Sequence, residues 1–380
     1  MDPFMSACLP ASDQWYLFAG AEQLASPALI LYRDRVAENI RRMVAVAGRP
    51  ERLRPHAKTH KLGEVARMQI AAGITKFKCA TLSEAQMLAE SVAADVLVAF
   101  ALSGPSRATF AGLIRRYPRT RFSVLVDSLP SVERLEQVLA EFDVTADAYL
   151  DLDVGMHRTG IAPGSEALAL YERVAASSRL RPVGLHAYDG HLKQHDADDR
   201  ELASQQAFAP VLAMAAELRS RGHRDLDVIA GGSPTFAIHA EHPDRSLSPG
   251  TCVFWDWAYM TKFPDLDFLP AAMVLTRVIS RPTPDTLCLD LGYKAVSPDN
   301  ADPRAAFPQL PDAQMLVHSE EHLLLKTSRS EEFAIDDCLY AIPYHVCPTV
   351  ALYDEAIVVA GGRIIDTWPV IARRRHVVLD

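Results

Sequence analysis

From about residue 50 to 255 the chain alternates short apolar runs with amphipathic stretches, and this alternation restricts the fold more than any other feature. Val124-Leu125-Val126 and Val228-Ile229-Ala230 are continuously apolar, as strands buried on both faces are. The pattern predicts strands at 52–58, 75–80, 96–101, 122–127, 148–154, 183–188, 226–230 and 251–255. Helical segments are expected at 62–72, 83–91, 106–117, 131–142, 165–176 and 202–221. Ser83-Glu84 and Ser165-Glu166 read as capping starts for two of them. Eight strands, each but the last followed by a helix, fit a (β/α)8 TIM-type barrel. A doubly wound open sheet is the competing α/β arrangement.

From about residue 265 the rhythm changes. Strands are expected at 274–280, 286–290, 322–326, 338–342, 356–359 and 363–368, with little helix between them. Ala360-Gly361-Gly362-Arg363 is a hairpin turn signal. Pro298, Pro303, Pro308 and Pro311 mark a loop. The early segment 28–32 reads as a strand that pairs with this C-terminal, mostly β domain, and 33–46 as the helix after it. The expected division is an N-terminal segment over 1–25 with Met1–Phe4 as a leader, a barrel over 26–260 and a β domain over 261–380.

Charge and cysteine usage restrict the partners. Among 380 residues, 39 Lys and Arg face 48 Asp and Glu, a net charge of -9. With no basic run longer than Arg373-Arg374-Arg375, nucleic acid and anionic membrane are poor partners. No stretch approaches the ~20 apolar residues that span a bilayer, and no signal peptide is visible. Six cysteines (Cys8, Cys79, Cys252, Cys288, Cys338, Cys347) stand singly without a C-x-x-C pair, which reads as reduced, cytoplasmic thiols. Cys79, Cys252 and Cys288 have strand-type neighbours and read as core packing. The whole is a large cytoplasmic enzyme acting on a small molecule.

Chemistry-bearing residues cluster where strands should end. Arg54-Pro55-His56-Ala57-Lys58-Thr59-His60-Lys61 is either a solvated basic loop or a set aimed into a barrel mouth, since alternate residues of an extended chain share a face. Gly231-Gly232-Ser233-Pro234-Thr235 follows an apolar strand and reads as a turn or a phosphate cradle, with Gly250-Thr251 as its other half. Asp151-Leu152-Asp153-Val154-Gly155-Met156-His157-Arg158 and His186-Ala187-Tyr188-Asp189-Gly190-His191, with His195 beyond, end two further strands. In the β domain, His345-Val346-Cys347 puts imidazole and thiol at i and i+2, on one side of a strand. That pair suits zinc or describes a buried thiol beside a hydrogen-bonded histidine.

In this order, these motifs resemble the D-threonine aldolase and D-serine dehydratase group of fold-type III pyridoxal-phosphate enzymes, with their alanine-racemase-like architecture. The resemblance runs from about Ser26 to Trp368 and rests on residues 54–61, His157-Arg158-Thr159-Gly160, Gly231-Gly232-Ser233-Pro234-Thr235, Ser248-Pro249-Gly250-Thr251 and His345-Val346-Cys347-Pro348-Thr349. It implies that Lys58 carries the cofactor aldehyde with His56 nearby, Tyr188 packs on the pyridine ring and Arg158 lies near the ring hydroxyl. Gly231, Gly232, Ser233, Thr235, Gly250 and Thr251 would bind the phosphate. His345 and Cys347 would ligate a divalent metal (zinc, or manganese or magnesium) beside the substrate β-hydroxyl, with His191 or His195 as a further catalytic group. The implied reaction is retro-aldol cleavage of a β-hydroxy D-amino acid to glycine and an aldehyde, in a homodimer. Such aldolases commonly carry His-x-Asp at the metal position and D-serine dehydratases His-x-Cys, so dehydration is the close alternative. An amino-acid racemase or a non-catalytic cofactor carrier are more distant ones.

Overall fold

The computed structural model describes residues 14–377 and 379; the leader Met1–Phe4 and Cys8 lie outside the described residues. The chain divides into two compact units. One holds the described residues up to Ile40, Thr59–Leu62 and Thr251–Arg373, and the other holds Arg41–Lys58, Gly63–Gly250 and the described residues after Arg373.

Strand β1 (Ala28–Tyr32) belongs to the first unit. The next seven strands form a parallel sheet in the second unit. They are β2 (Lys76–Cys79), β3 (Asp95–Val98), β4 (Arg121–Val126), β5 (Ala146–Leu152), β6 (Leu180–Ala187), β7 (Asp227–Ala230) and β8 (Arg245–Leu247), and each pairs with the next in sequence. Because no strand order reverses, the doubly wound alternative is excluded.

Two expected strands differ from the structure. The first, over 52–58, is reduced to two isolated parallel bridges, Leu53 to Leu247 and His56 to Lys78. Pro55 has no N–H to give a ladder, and tight turns at Pro50–Arg52 and Ala57–Thr59 flank it. The short segment still joins both edges of the sheet: Arg54 N–H donates to the Leu247 carbonyl at 2.7 Å, and Lys78 N–H donates to that of Pro55 at 2.9 Å. The eighth strand is Arg245–Leu247, not 251–255. After Pro249 the chain turns through Thr251–Val253, and Trp255 at φ 46° leaves the extended region, so an apolar run that looked strand-like is a buried turn. The capping starts also move: Thr81, not Ser83, caps Leu82–Glu90 by accepting from the Glu84 amide, and Gly164 precedes Ser165–Ala175.

The described residues of the first unit form a mixed sheet. Its strands are β1, β9 (Ala272–Ser280), β10 (Thr286–Leu289), β11 (Ala305–Ala306), β12 (Gln314–His318), β13 (Leu323–Lys326), β14 (Cys338–Pro343), β15 (Glu355–Ala360) and β16 (Arg363–Pro369). As the sequence suggested, β1 joins this sheet, antiparallel to β9 and parallel to β15. β11 and β12 were not foreseen: the first is two residues long, and the second leaves most of its side chains at least partly exposed. Cys79 and Cys252 are fully buried, whereas Cys288 is only partly so; the five described cysteines are free thiols. Among the described residues no helix is long and apolar enough to cross a membrane.

Inside the parallel sheet, Leu97, Leu125, Tyr149 and Ile229 pack as an apolar cluster. Gly184 on β6 sits where a Cβ would come within 2.1 Å of the Asp227 carbonyl oxygen and 2.9 Å of the Tyr149 ring. Gly184→Ala is therefore expected to lower stability by about 1–3 kcal/mol, read as an earlier urea midpoint; an unchanged midpoint would contradict this packing.

Candidate functional site

The C-terminal ends of the barrel strands gather three cations around one ring. Lys58 Nζ lies 6.0 Å from the centre of the Tyr188 ring, Lys78 Nζ 5.5 Å and the Arg158 guanidinium 5.3 Å. Lys58 sits in the tight turn Ala57–Thr59, whose geometry is fixed by its own neighbour: the Lys58 amide donates to His56 Nδ1 at 3.3 Å.

Lys78 escaped the sequence reading because it stands in the middle of a strand, where a lysine normally points to solvent. Here it is 2% exposed and its Nζ donates to His186 Nε2 at 3.3 Å. His186 in turn donates from Nδ1 to Asp151 Oδ1 at 2.7 Å, and Thr159 donates to the other oxygen of Asp151 at 2.9 Å. Burial, and then the charge of Lys58, lower the Lys78 pKa to about 7. Burial and the charge of Lys78 likewise hold His186 below its usual value, so a neutral imidazole is favoured. Burial would raise Asp151, but the hydrogen bonds from His186 and Thr159 and the electrostatic pull of His186 and Lys78 together outweigh it and keep the carboxylate ionised. The one signal in the sequence was the alternation Lys76, Lys78 on a run otherwise typical of a buried strand.

Local chemistry shapes the loop that carries Arg158. Asp153 accepts from the amides of Gly155 and His157, both at 3.0 Å, and from His157 Nδ1 at 2.9 Å. Burial opposes ionisation there, yet these bonds hold the Asp153 pKa down at about 2. Three of the four residues of His157-Arg158-Thr159-Gly160 are thus tied down, to Asp153, Asp151 and Asp127, around the arginine.

The glycine loop is built on a buried polar chain. Arg245 Nη1 donates to His239 Nδ1 at 2.7 Å, and His239 Nε2 donates to Asp189 at 2.8 Å. Thr235 donates to Asp189 at 2.8 Å, and the Gly232 amide donates to Thr235 at 3.3 Å. Thr235 is therefore committed to shaping the loop. A Cβ on Gly231 would fall 2.5 Å from His239, and one on Gly232 would fall 3.0 Å from the Tyr188 ring, so only glycine lets the backbone run this close. The Gly250 amide donates to Ser233 Oγ at 3.1 Å, which brings the two halves of the expected phosphate cradle together. A glycine-lined cradle facing a ring and three cations fits a phosphorylated aromatic cofactor. His191 lies against Gly155 with its Nδ1 buried and without a partner, and His195 is exposed before the helix Ala197–Ser220.

In the other unit, His345 and Cys347 are not on a strand. His345 is the residue before the short helix Val346–Val350, and Cys347 is in its first turn. Buried Asp256 accepts from the Val346 amide at 3.0 Å and Thr349 donates to the His345 carbonyl at 2.8 Å, which starts a helix where the i, i+2 spacing suggested extension. The two side chains nonetheless meet in a hydrogen bond. His345 Nδ1 contacts Asp299 at 2.5 Å, and the hydroxyls of Thr59 and Thr251 lie 3.2 and 3.8 Å from Cys347 Sγ. Burial works to lower the His345 pKa, but Cys347, Asp256 and Asp299 outweigh it and raise it to about 9. Among the described residues no three His, Cys, Asp or Glu side chains converge as a metal set. An imidazole oriented through Nδ1 by a carboxylate, beside a thiol, still fits two corners of an open metal site.

The sequence matches known proteins over nearly its full length. It is 28% identical to a D-threonine aldolase of Arthrobacter sp over 354 residues, covering 92% of each chain. It is 25% identical to a D-threo-3-hydroxyaspartate dehydratase of Delftia sp. over 370 residues, 91% of this chain and 97% of that one. The crystal structure of D-threonine aldolase from Filomicrobium marinum superposes with a TM-score of 0.87 at 29% identity, covering 93% of this chain and 96% of that one. Residues 271–359 match a putative serine dehydratase domain. Residues 31–256, more than half of the sequence, match the alanine racemase N-terminal domain, and the chain belongs to that family.

Proposed function

We propose that this protein is a pyridoxal-phosphate lyase acting on β-hydroxy D-amino acids, with retro-aldol cleavage to glycine and an aldehyde as its reaction. The observation that carries this reading is the cation set of Lys58, Lys78 and Arg158 around Tyr188 beside the glycine cradle, on a chain similar over 92% of its length to a D-threonine aldolase. Once bound, the cofactor supplies an electron sink for charge developing at the substrate Cα.

The residues of the chain do the rest. Lys58 is the amine that holds the cofactor aldehyde. Gly231, Gly232, Ser233 and Gly250 receive its phosphate, and Tyr188 supports the ring. Arg158, and Lys78 in its protonated form, add positive charge that suits a phosphate and an amino-acid carboxylate. His345 and Cys347 are the proposed ligands of a divalent metal, which lowers the pKa of a hydroxyl it binds. Loss of the β-hydroxyl proton leads to carbon–carbon cleavage, whereas removal of the Cα proton by Lys58 leads to loss of hydroxide and, after hydrolysis, a keto acid and ammonia. Cys347, where such aldolases commonly carry an aspartate, keeps dehydration as the alternative.

Product analysis decides. With D-threonine, glycine and acetaldehyde are expected, made slower by a chelator, and Lys58→Ala should reduce turnover by roughly 10²–10⁴-fold. 2-Oxobutanoate as product would replace aldolase with dehydratase, and full activity in Lys58→Ala would remove the mechanism altogether.

The low pKa of Lys78 has its own readout in the cofactor-free protein. The folded chain releases this proton near pH 7, whereas an unfolded lysine keeps it until about 10.5, so the lysine's contribution to stability rises with pH across that window. Lys78→Met, which never charges, should gain most over the wild type below pH 7 and lose that advantage towards pH 10. A pH-independent difference in urea midpoints would contradict the buried amine.

Asp189→Asn cannot accept from both Thr235 and His239 as the carboxylate does. Cofactor affinity, measured by titration, should weaken about tenfold while kcat at saturating cofactor changes little; an unchanged affinity would separate the loop from the Asp189 chain.

A further inference from the structure

The opposite end of the barrel strands carries an arginine cluster that the proposed reaction does not use. Asp147, near the start of β5, is buried, and two guanidiniums converge on it. Arg121 donates from Nε, and Arg181 donates from Nε at 2.7 Å and from Nη2 at 3.0 Å. The carboxylate side chain is 6% exposed, while Arg121 and Arg181 are 49% and 68% exposed. These bonds use one edge of each fork. Both Nη groups of Arg121 and Nη1 of Arg181 keep donors without a partner among the described residues.

The neighbouring carboxylates are engaged with other arginines. Asp95, 4.0 Å from Arg121 Nε, is paired at 2.5 Å with the fully buried Arg54. Arg179, just before β6, pairs at 3.0 Å with exposed Asp143. Arg121 and Arg181 therefore share the single carboxylate of Asp147, on a protein whose net charge is -9. These arginines line a cleft of about 410 Å3 together with Ser178 and the apolar side chain of Ile114.

The geometry points to a binding site for a small phosphate monoester in this cleft. Planar guanidinium forks match phosphate oxygens two bonds at a time, and Ser178 adds a hydroxyl donor. The cleft lies in the range of small-molecule pockets and exceeds a bare anion, so the ester's organic part has room against Ile114. Asp147 acts as the base of the site: it fixes both forks without cancelling their charge.

The test uses protein loaded with pyridoxal phosphate and then desalted, so that the loop at Gly231–Ser233 is filled. Glycerol 3-phosphate and inorganic phosphate are titrated by calorimetry at ionic strength matched with sodium chloride. Saturable binding of glycerol 3-phosphate, tighter than that of inorganic phosphate, is expected. Arg181→Gln, which leaves Asp147 with Arg121, and Arg179→Gln, which leaves the buried pairs untouched, should each weaken it about tenfold. Glycerol 3-phosphate binding unaltered in both variants, or no heat beyond the sodium chloride control, would overturn the site. Equal affinity for inorganic phosphate would overturn the monoester.

Discussion

Closure of the parallel sheet rests on four residues that are barely a strand. Leu53 to His56 contact β8 on one side and β2 on the other, and they do so through backbone hydrogen bonds to Leu247 and Pro249 and from Lys78. The arginine among them, Arg54, is 1% exposed, reaches Asp95 at 2.5 Å and Tyr149 at 3.3 Å, and so anchors the segment from inside. An unpaired guanidinium at that depth would be severely destabilising, so the ion pair and the closing segment stand or fall together. Lys58 comes two residues after this closure. Its turn can be placed accurately because the chain immediately before it is pinned to both sheet edges.

The interior of the barrel separates two charged regions. Asp147, Tyr149 and Asp151 alternate along β5; the first belongs to the arginine cluster at the strand start and the last to His186 and Lys78 at the strand end. Tyr149 joins Leu97, Leu125 and Ile229 in the apolar cluster. Its hydroxyl donates to Asp227 at 2.8 Å, and burial raises its pKa far above the usual range, so it stays a neutral donor beside two carboxylates and an arginine.

Much of this was legible in the sequence, and the reasons for the rest are physical. Helix and strand periodicity located six of the seven parallel strands, and the change of rhythm near residue 265 located the mixed sheet. Periodicity cannot tell a buried turn from a buried strand, which is why Thr251–Trp255 misled. Nor can it show that Pro55 reduces a strand to two bridges. Motifs such as His157-Arg158-Thr159-Gly160 and Gly231-Gly232 stood out because they break the apolar rhythm. Lys78, His186 and Asp151 become a set only when β2, β5 and β6 lie side by side, and His345 and Cys347 meet by way of a helix start that depends on Asp256, ninety residues earlier. Long-range contacts of this kind leave no local trace.

The chain Arg245–His239–Asp189–Thr235–Gly232 draws on the end of one strand, the start of another and the segment between. Each member is chosen for its neighbour: an acceptor imidazole nitrogen for the arginine, a carboxylate for two donors at once. Hybrids made by exchanging segments with relatives should therefore tolerate a junction outside 189–245 far better than one within it. A crossover there would join half of one hydrogen-bonding pattern to half of another, and the glycine loop would inherit the mismatch. Residues from helices, loops and strands are thus held in one hydrogen-bonded unit.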